Sequence, residues 1–169
     1  LFGLSGSQRA EQKNLKMKVE YFMMDLTKTA PRSVKETMLG IVQLARTTDK
    51  AKAVVDGQVG EYHYDCPMDR ALFDFLAMDP KEFLDAVKTA KNDSEIEAYA
   101  KPFVAKKDGQ SLEAFNKSWL STVPTGESLM HFNELRAKIA PSRTDVTSWP
   151  DLLDLDEGRT VPHRETVHA

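Results

Sequence analysis

The sequence predicts an all-α single domain, or one nearly so, of about six or seven helices with one short extended segment near residues 59–65. Three observations carry this. Apolar residues recur at three- and four-residue intervals through most of the chain, the spacing that puts them on one face of a helix. Capping signatures stand where those stripes begin, as in Ser33-x-x-Glu36 and Asp79-Pro80. Alternation of period two is confined to Val59–Tyr64. A length of 169 residues suits one domain with a proper core and no disulfides.

The elements follow in order. Glu11 to Met24 carries Leu15, Val19, Tyr21 and Phe22 among charged residues, so residues 1–24 read as an N-terminal extension, helical or disordered. Pro31-Arg32-Ser33 then leads into the capping box of Ser33 and Glu36, which starts a helix at Val34 with Met38, Ile41, Val42 and Ala45 on its buried face. Gly40 is the anomaly there, since mid-helix glycine is costly. Thr48 or Asp49 caps a second helix that Gly57 ends in a left-handed conformation. After the extended segment, Pro67 with Asp69 behind it opens a helix carrying Leu72, Phe73, Phe75 and Leu76, and Asp79-Pro80 opens the next, with Phe83, Leu84 and Val87 as its buried stripe. These two form a helical hairpin. Asn92-Asp93-Ser94 starts another helix, which Pro102 kinks or ends. Leu112, Phe115 and Trp119 mark a helix from Ser111, and Leu129, Phe132, Leu135 and Ile139 mark a last long one closed by Pro141. A short helix begins at Ser148 or Pro150. The core domain thus spans residues 25–157, and residues 158–169 form a mobile tail.

With 41% hydrophobic and 29% charged residues and a formal charge of −3, the chain lacks the basic field that holds phosphate backbones, which excludes generic nucleic-acid binding. A single cysteine excludes an internal disulfide and fits a reducing compartment, so a cytoplasmic location is expected. No apolar run approaches the length of a membrane span, and the first residues lack the apolar core and cleavage site of an export signal.

The segments TAPRSVKETMLGIVQLARTTDKAKA and GEYHYDCPMDRALFDFLAMDPKEFLDAVK resemble the bacterial family known as domain of unknown function 5069, over roughly residues 25 to 120. The matching positions include Pro31, Arg32, Ser33, Arg46, Asp49, Lys50, Glu61, Tyr62, Cys66, Pro67 and Asp69, with Met68 where the family usually has leucine. The stretch PTGESLMHFNELRAKIAPSRTDVTSWPDLLDLDEG departs from shorter members. The resemblance implies a recurring constellation, not a reaction.

Two clusters could carry chemistry. Cys66 precedes Pro67 at a helix entrance, surroundings in which a thiol can become nucleophilic, with His63 as a candidate base and Asp69 as a third candidate catalytic group. His63 and Cys66 project to opposite faces of an extended strand, so a bend at Asp65 is required. The alternative is a small buried residue with an inert thiol. His63, Asp65, Cys66 and Asp69 mix hard and soft ligands, so no metal site is expected, and no cofactor is indicated. Arg46, Asp49 and Lys50 form the second cluster, either an anion site or an exposed, ion-paired helix junction. Tyr62 and Tyr64 share one face, as a ligand wall or as core against Phe75, Phe115 or Trp119. Asp151 to Glu157, with Leu152, Leu153 and Leu155 interleaved, reads as a docking segment for a basic groove or, more simply, as a solvated terminal helix packed through its leucines. Arg46, Asp49, Lys50, Tyr62 and Cys66 are expected to converge on one concave surface. The chain reads as a non-catalytic cytoplasmic binding or interaction protein for a protein partner or a small anionic ligand. The alternative is a small cysteine-dependent enzyme or redox-responsive protein using Cys66.

Overall fold

The computed structural model describes residues 5–13 and 23–164. The expectations for residues 1–4, 14–22 and 165–169 therefore lie outside the described residues. Seven helices follow one another from Leu44: α1 (Leu44–Asp56), α2 (Pro67–Leu76), α3 (Pro80–Thr89), α4 (Asp93–Ala105), α5 (Gly109–Ser121), α6 (Gly126–Ile139) and α7 (Trp149–Asp156). Residues 6–13 are also helical, opened by a reciprocal pair in which Gln8 N donates to Ser5 Oγ and Ser5 N to Gln8 Oε1. Among the described residues there is no strand, and an isolated antiparallel bridge joins Met38 to Ile41. The all-α prediction holds. No helix of the described residues is long and apolar enough to cross a membrane.

The helix expected from Val34 does not form, and the backbone shows why. Glu36 Oε1 does accept from Ser33 N, but the Ser33 hydroxyl accepts from Lys35 N while Glu36 N donates to the Ser33 carbonyl, and these bonds close a turn. Leu39 and Gly40 then both adopt positive φ (55° and 76°), the signature of a tight type I′ turn, and Met38 and Ile41 exchange both backbone bonds across it at 3.1 Å. Gln43 is also left-handed (φ 70°), so a continuous right-handed helix is impossible here. Gly40 is thus a turn residue and no weakness in a helix. The first long helix starts ten residues later, at Leu44.

The chain divides into two compact units. The first comprises residues 1–29 and 47–103. The expected hairpin of α2 and α3 is present: Ala77 ends α2 in a left-handed cap, Asp79 accepts from Lys81 N and Glu82 N, and Phe73 meets Phe83 edge-on at 5.6 Å. Tyr64 packs edge-on against Phe73, with ring centroids 5.9 Å apart. Residues 59–65 carry turns at 60–61 and 64–65. Gly60 (φ 58°) is required there, because a Cβ would lie 2.5 Å from the carbonyl oxygen of Leu26. Helix α4 continues through Pro102 to Ala105.

The second unit comprises residues 30–46 and 104–169. Its core gathers Phe132, Val146, Leu152 and Val161, with Trp149 edge-on to Phe132 at 5.0 Å. Asn116 of α5 clamps the tight turn, accepting from Val42 N at 3.0 Å and donating to Gly40 O at 2.8 Å. The expected mobile tail makes many contacts as far as residue 164. Val161 is buried, Arg143 donates to the carbonyls of Val161 and Pro162, and Arg164 reaches Asp151.

Candidate functional site

Helix α1 departs most from the amphipathic reading. Every residue from Leu44 to Ala53 is buried, including Arg46 (4% exposed), Asp49 (1%) and Lys50 (4%). The expectation of an exposed, ion-paired junction is therefore corrected. Buried charge must be paired and hydrogen-bonded, and the partners lie far away in sequence.

In the first unit, Lys50 is the hub. Its Nζ donates to Asp69 Oδ2 at 2.6 Å, to the His63 carbonyl at 3.1 Å and to Cys66 Sγ at 3.3 Å. Three acceptors match the three protons of an ammonium. Asp69, fully buried, also accepts the Thr47 hydroxyl at 2.7 Å through Oδ1 and the Cys66 amide at 3.4 Å through Oδ2. Thr47 was not singled out in the sequence, although it stands three residues before Lys50 and so shares its side of a helix.

Cys66 occupies the N-cap position of α2, with Pro67 as the first helical residue. The bend that the sequence required at Asp65 is present, since that residue has φ 57°. Arg70 holds it there, with Nε donating to Asp65 O and Oδ1 and Nη2 to Oδ2, each at 3.1 Å. Yet the bend presents the carbonyl of His63, not its imidazole, to Lys50. The His63 side chain is exposed. Cys66 is half-buried and a free thiol.

Tyr62 is half-buried, its amide donating to Val59 O in a turn. Tyr64 donates its hydroxyl to Pro80 O at 2.6 Å. Burial pushes that hydroxyl's pKa well above its ordinary value, reinforced by the charges of Asp69, Asp65 and Asp79, so it stays a donor.

Arg46 belongs to the second unit, where its guanidinium grips Glu157 through both terminal nitrogens and donates to the Arg32 carbonyl. Arg159 also pairs with Glu157 and donates to the carbonyl of Pro31. Lys35 bridges Asp151 and Asp154 at 2.7 and 2.9 Å. Burial draws the Lys35 ammonium down, but its hydrogen bonds to these two carboxylates outweigh that and raise its pKa. In the acidic run of α7, Asp151, Asp154 and Glu157 pair with cations of the same unit, while Asp156 stays exposed and Leu152 packs into the core as the terminal-helix reading expects.

The structure thus brings Lys50, Cys66, Asp69 and the His63 backbone together in the first unit, and in the second it pairs Arg46 with Glu157. Among the described residues, no group of three His, Cys, Asp or Glu side chains is disposed to hold a metal ion. No curated protein matches the sequence. The family described as Domain of unknown function (DUF5069) matches residues 28–159, most of the chain and further than the segment in which the resemblance was first visible. It takes in Glu157 as well as Lys50, Cys66 and Asp69, and on this match the chain belongs to that family.

Proposed function

We propose that the chain is a non-catalytic cytoplasmic binding protein whose state responds to the chemistry of its one thiol, Cys66. The observation that carries this reading is the 3.3 Å contact from Lys50 Nζ to Cys66 Sγ at the start of a ten-residue helix. A lysine ammonium and the open amides of a helix N-terminus are the surroundings in which cysteine sulfurs act as nucleophiles. Partial exposure of Cys66 supports access by small oxidants and electrophiles.

The anionic-ligand reading draws less support from the same geometry. Arg46 and Lys50 each end on a carboxylate that is itself almost wholly buried, Glu157 and Asp69. An acidic ligand would have to displace one of them and leave it unpaired, which costs several kcal/mol. The catalytic reading needs a base beside the sulfur, and the group of His63 that faces Lys50 is its carbonyl.

Alkylation of Cys66 by iodoacetamide, followed at neutral pH in folded and in urea-unfolded protein, tests the proposal. Faster labelling of the folded chain is expected, although the site is half-buried. Protection of the thiol on folding would return Cys66 to the role of an inert packing group.

A further inference from the structure

We infer that oxidation joins Cys66 to Lys50 through a covalent sulfur–nitrogen bond, which makes the pair a reversible redox latch between α1 and the start of α2; this rests on the thiol-responsive reading above. The feature is a pair rather than a cysteine alone. Lys50 carries a primary amine, is 4% exposed and holds its nitrogen 3.3 Å from the sulfur. Cys66 is the only cysteine of the chain, so a sulfenic acid formed there has no thiol of its own molecule to condense with. The Lys50 amine lies in contact with that sulfur. Sulfenic acids also condense with nitrogen to give sulfenamides.

The steps balance with hydrogen peroxide as the oxidant. The Cys66 sulfur attacks one peroxide oxygen, so that an S–O bond forms, the O–O bond breaks and water leaves. Sulfur is oxidised by two electrons and the peroxide is reduced by two. Lys50 gives one ammonium proton to Asp69, whose Oδ2 lies 2.6 Å away. The freed lone pair attacks sulfur, an S–N bond forms, the S–O bond breaks and the hydroxyl departs as a second water with the remaining surplus proton. The product is Cys66–S–NH–Lys50. A thiol reductant attacks sulfur, expels the amine and restores both side chains. Thr47 and the Cys66 amide hold Asp69 in place throughout.

Peptide mapping of the full chain after treatment with hydrogen peroxide tests this, with digestion by trypsin under non-reducing conditions. Cleavage after Arg46, Lys52 and Arg70 isolates residues 47–52 and 53–70. The expected product is these two peptides joined, lighter than their sum by two hydrogen atoms, carrying most of the oxidised Cys66 and released by dithiothreitol. Lys50→Arg keeps the positive charge toward Asp69 and should abolish the joined peptide. The wild-type result decides the matter whether or not that variant folds. Recovery of Cys66 as a dimedone adduct, a sulfinic acid or an intermolecular disulfide, with residues 47–52 unmodified, would overturn the latch and leave the thiol-responsive reading standing. An unmodified Cys66 would overturn both.

Discussion

Lys50 and Asp69 show how much one buried pair is asked to do. Neither charge reaches bulk water, so their mutual attraction and the surrounding donors and acceptors must offset two desolvation penalties. Replacing Lys50 by methionine keeps the apolar stem but strands a buried carboxylate that accepts from Thr47 and from the Cys66 amide. Lys50→Met should therefore cost about 3–5 kcal/mol in urea unfolding. A loss below about 1 kcal/mol would mean that the pair behaves as a surface ion pair. Asp145 presents the complementary case in the second unit. The Arg143 guanidinium, followed by the Arg164 amide, holds its carboxyl well below the usual carboxylate range. A carboxyl with a depressed folded-state pKa contributes stability that is fully present above its unfolded pKa of about 3.9 and is lost as pH falls toward the folded value. Asp145→Asn should thus be destabilising near neutral pH, and its urea midpoint should fall less than that of the wild type between about pH 6 and about pH 3. Parallel losses in the two proteins would show that the acid response arises elsewhere.

At the scale of elements, the segment from Ser33 to Gln43 shows what a local motif can and cannot specify. The Ser33–Glu36 motif is legible in sequence and its Glu36 arm forms, but a cap satisfies only first-turn amides and cannot make the next residues helical. Left-handed φ at Leu39, Gly40 and Gln43 is sustained by long-range contacts that no local pattern announces. Asn116 is the chief of these, seventy-four and seventy-six residues away from the groups it binds. Its replacement by alanine would orphan the buried Val42 amide and the Gly40 carbonyl together. Asn116→Ala should cost about 1–3 kcal/mol, the penalty of an unsatisfied buried polar group. An unchanged denaturation midpoint would show that water replaces the side chain. The helices with proline at N1 were read correctly because their signals are local: Asp79-Pro80 and Cys66-Pro67 supply a cap and a preset φ within two residues. Cys66 and Asp69 were also named from sequence. The sequence also suggests that Lys50 approaches Cys66, but not that Lys50 and Asp69 form the buried pair which makes the contact, because that pairing needs the turns of residues 59–65 to return the chain to α1.

On the scale of the whole molecule, polarity misled most where charge is buried. Arg46, Lys50, Asp151 and Asp154 all look like surface residues in composition, yet Arg46 and Lys50 are enclosed together with their carboxylates, and Asp151 and Asp154 are covered beneath the half-exposed Lys35. The same reasoning bears on the C-terminal segment, whose polar sequence suggested a mobile tail. Val161 is 6% exposed and lies in the core cluster with Phe132, Val146 and Leu152. Arg159 supports Glu157, the partner of Arg46, and also binds the carbonyl of Pro31. Arg143 closes on the carbonyls of Val161 and Pro162. Deleting residues 159–169 removes one buried valine, worth about 1.5 kcal/mol or more. It also leaves Arg46 and Glu157 without their third charge and strips two acceptors from Arg143, each net hydrogen bond contributing about 1 kcal/mol. The sum is about 2–4 kcal/mol, which for a chain of this size lowers the melting temperature by roughly 5–15 °C. If calorimetry of the deletion at 159 finds the full-length melting temperature instead, Val161 and Arg159 rest on the second unit without stabilising it.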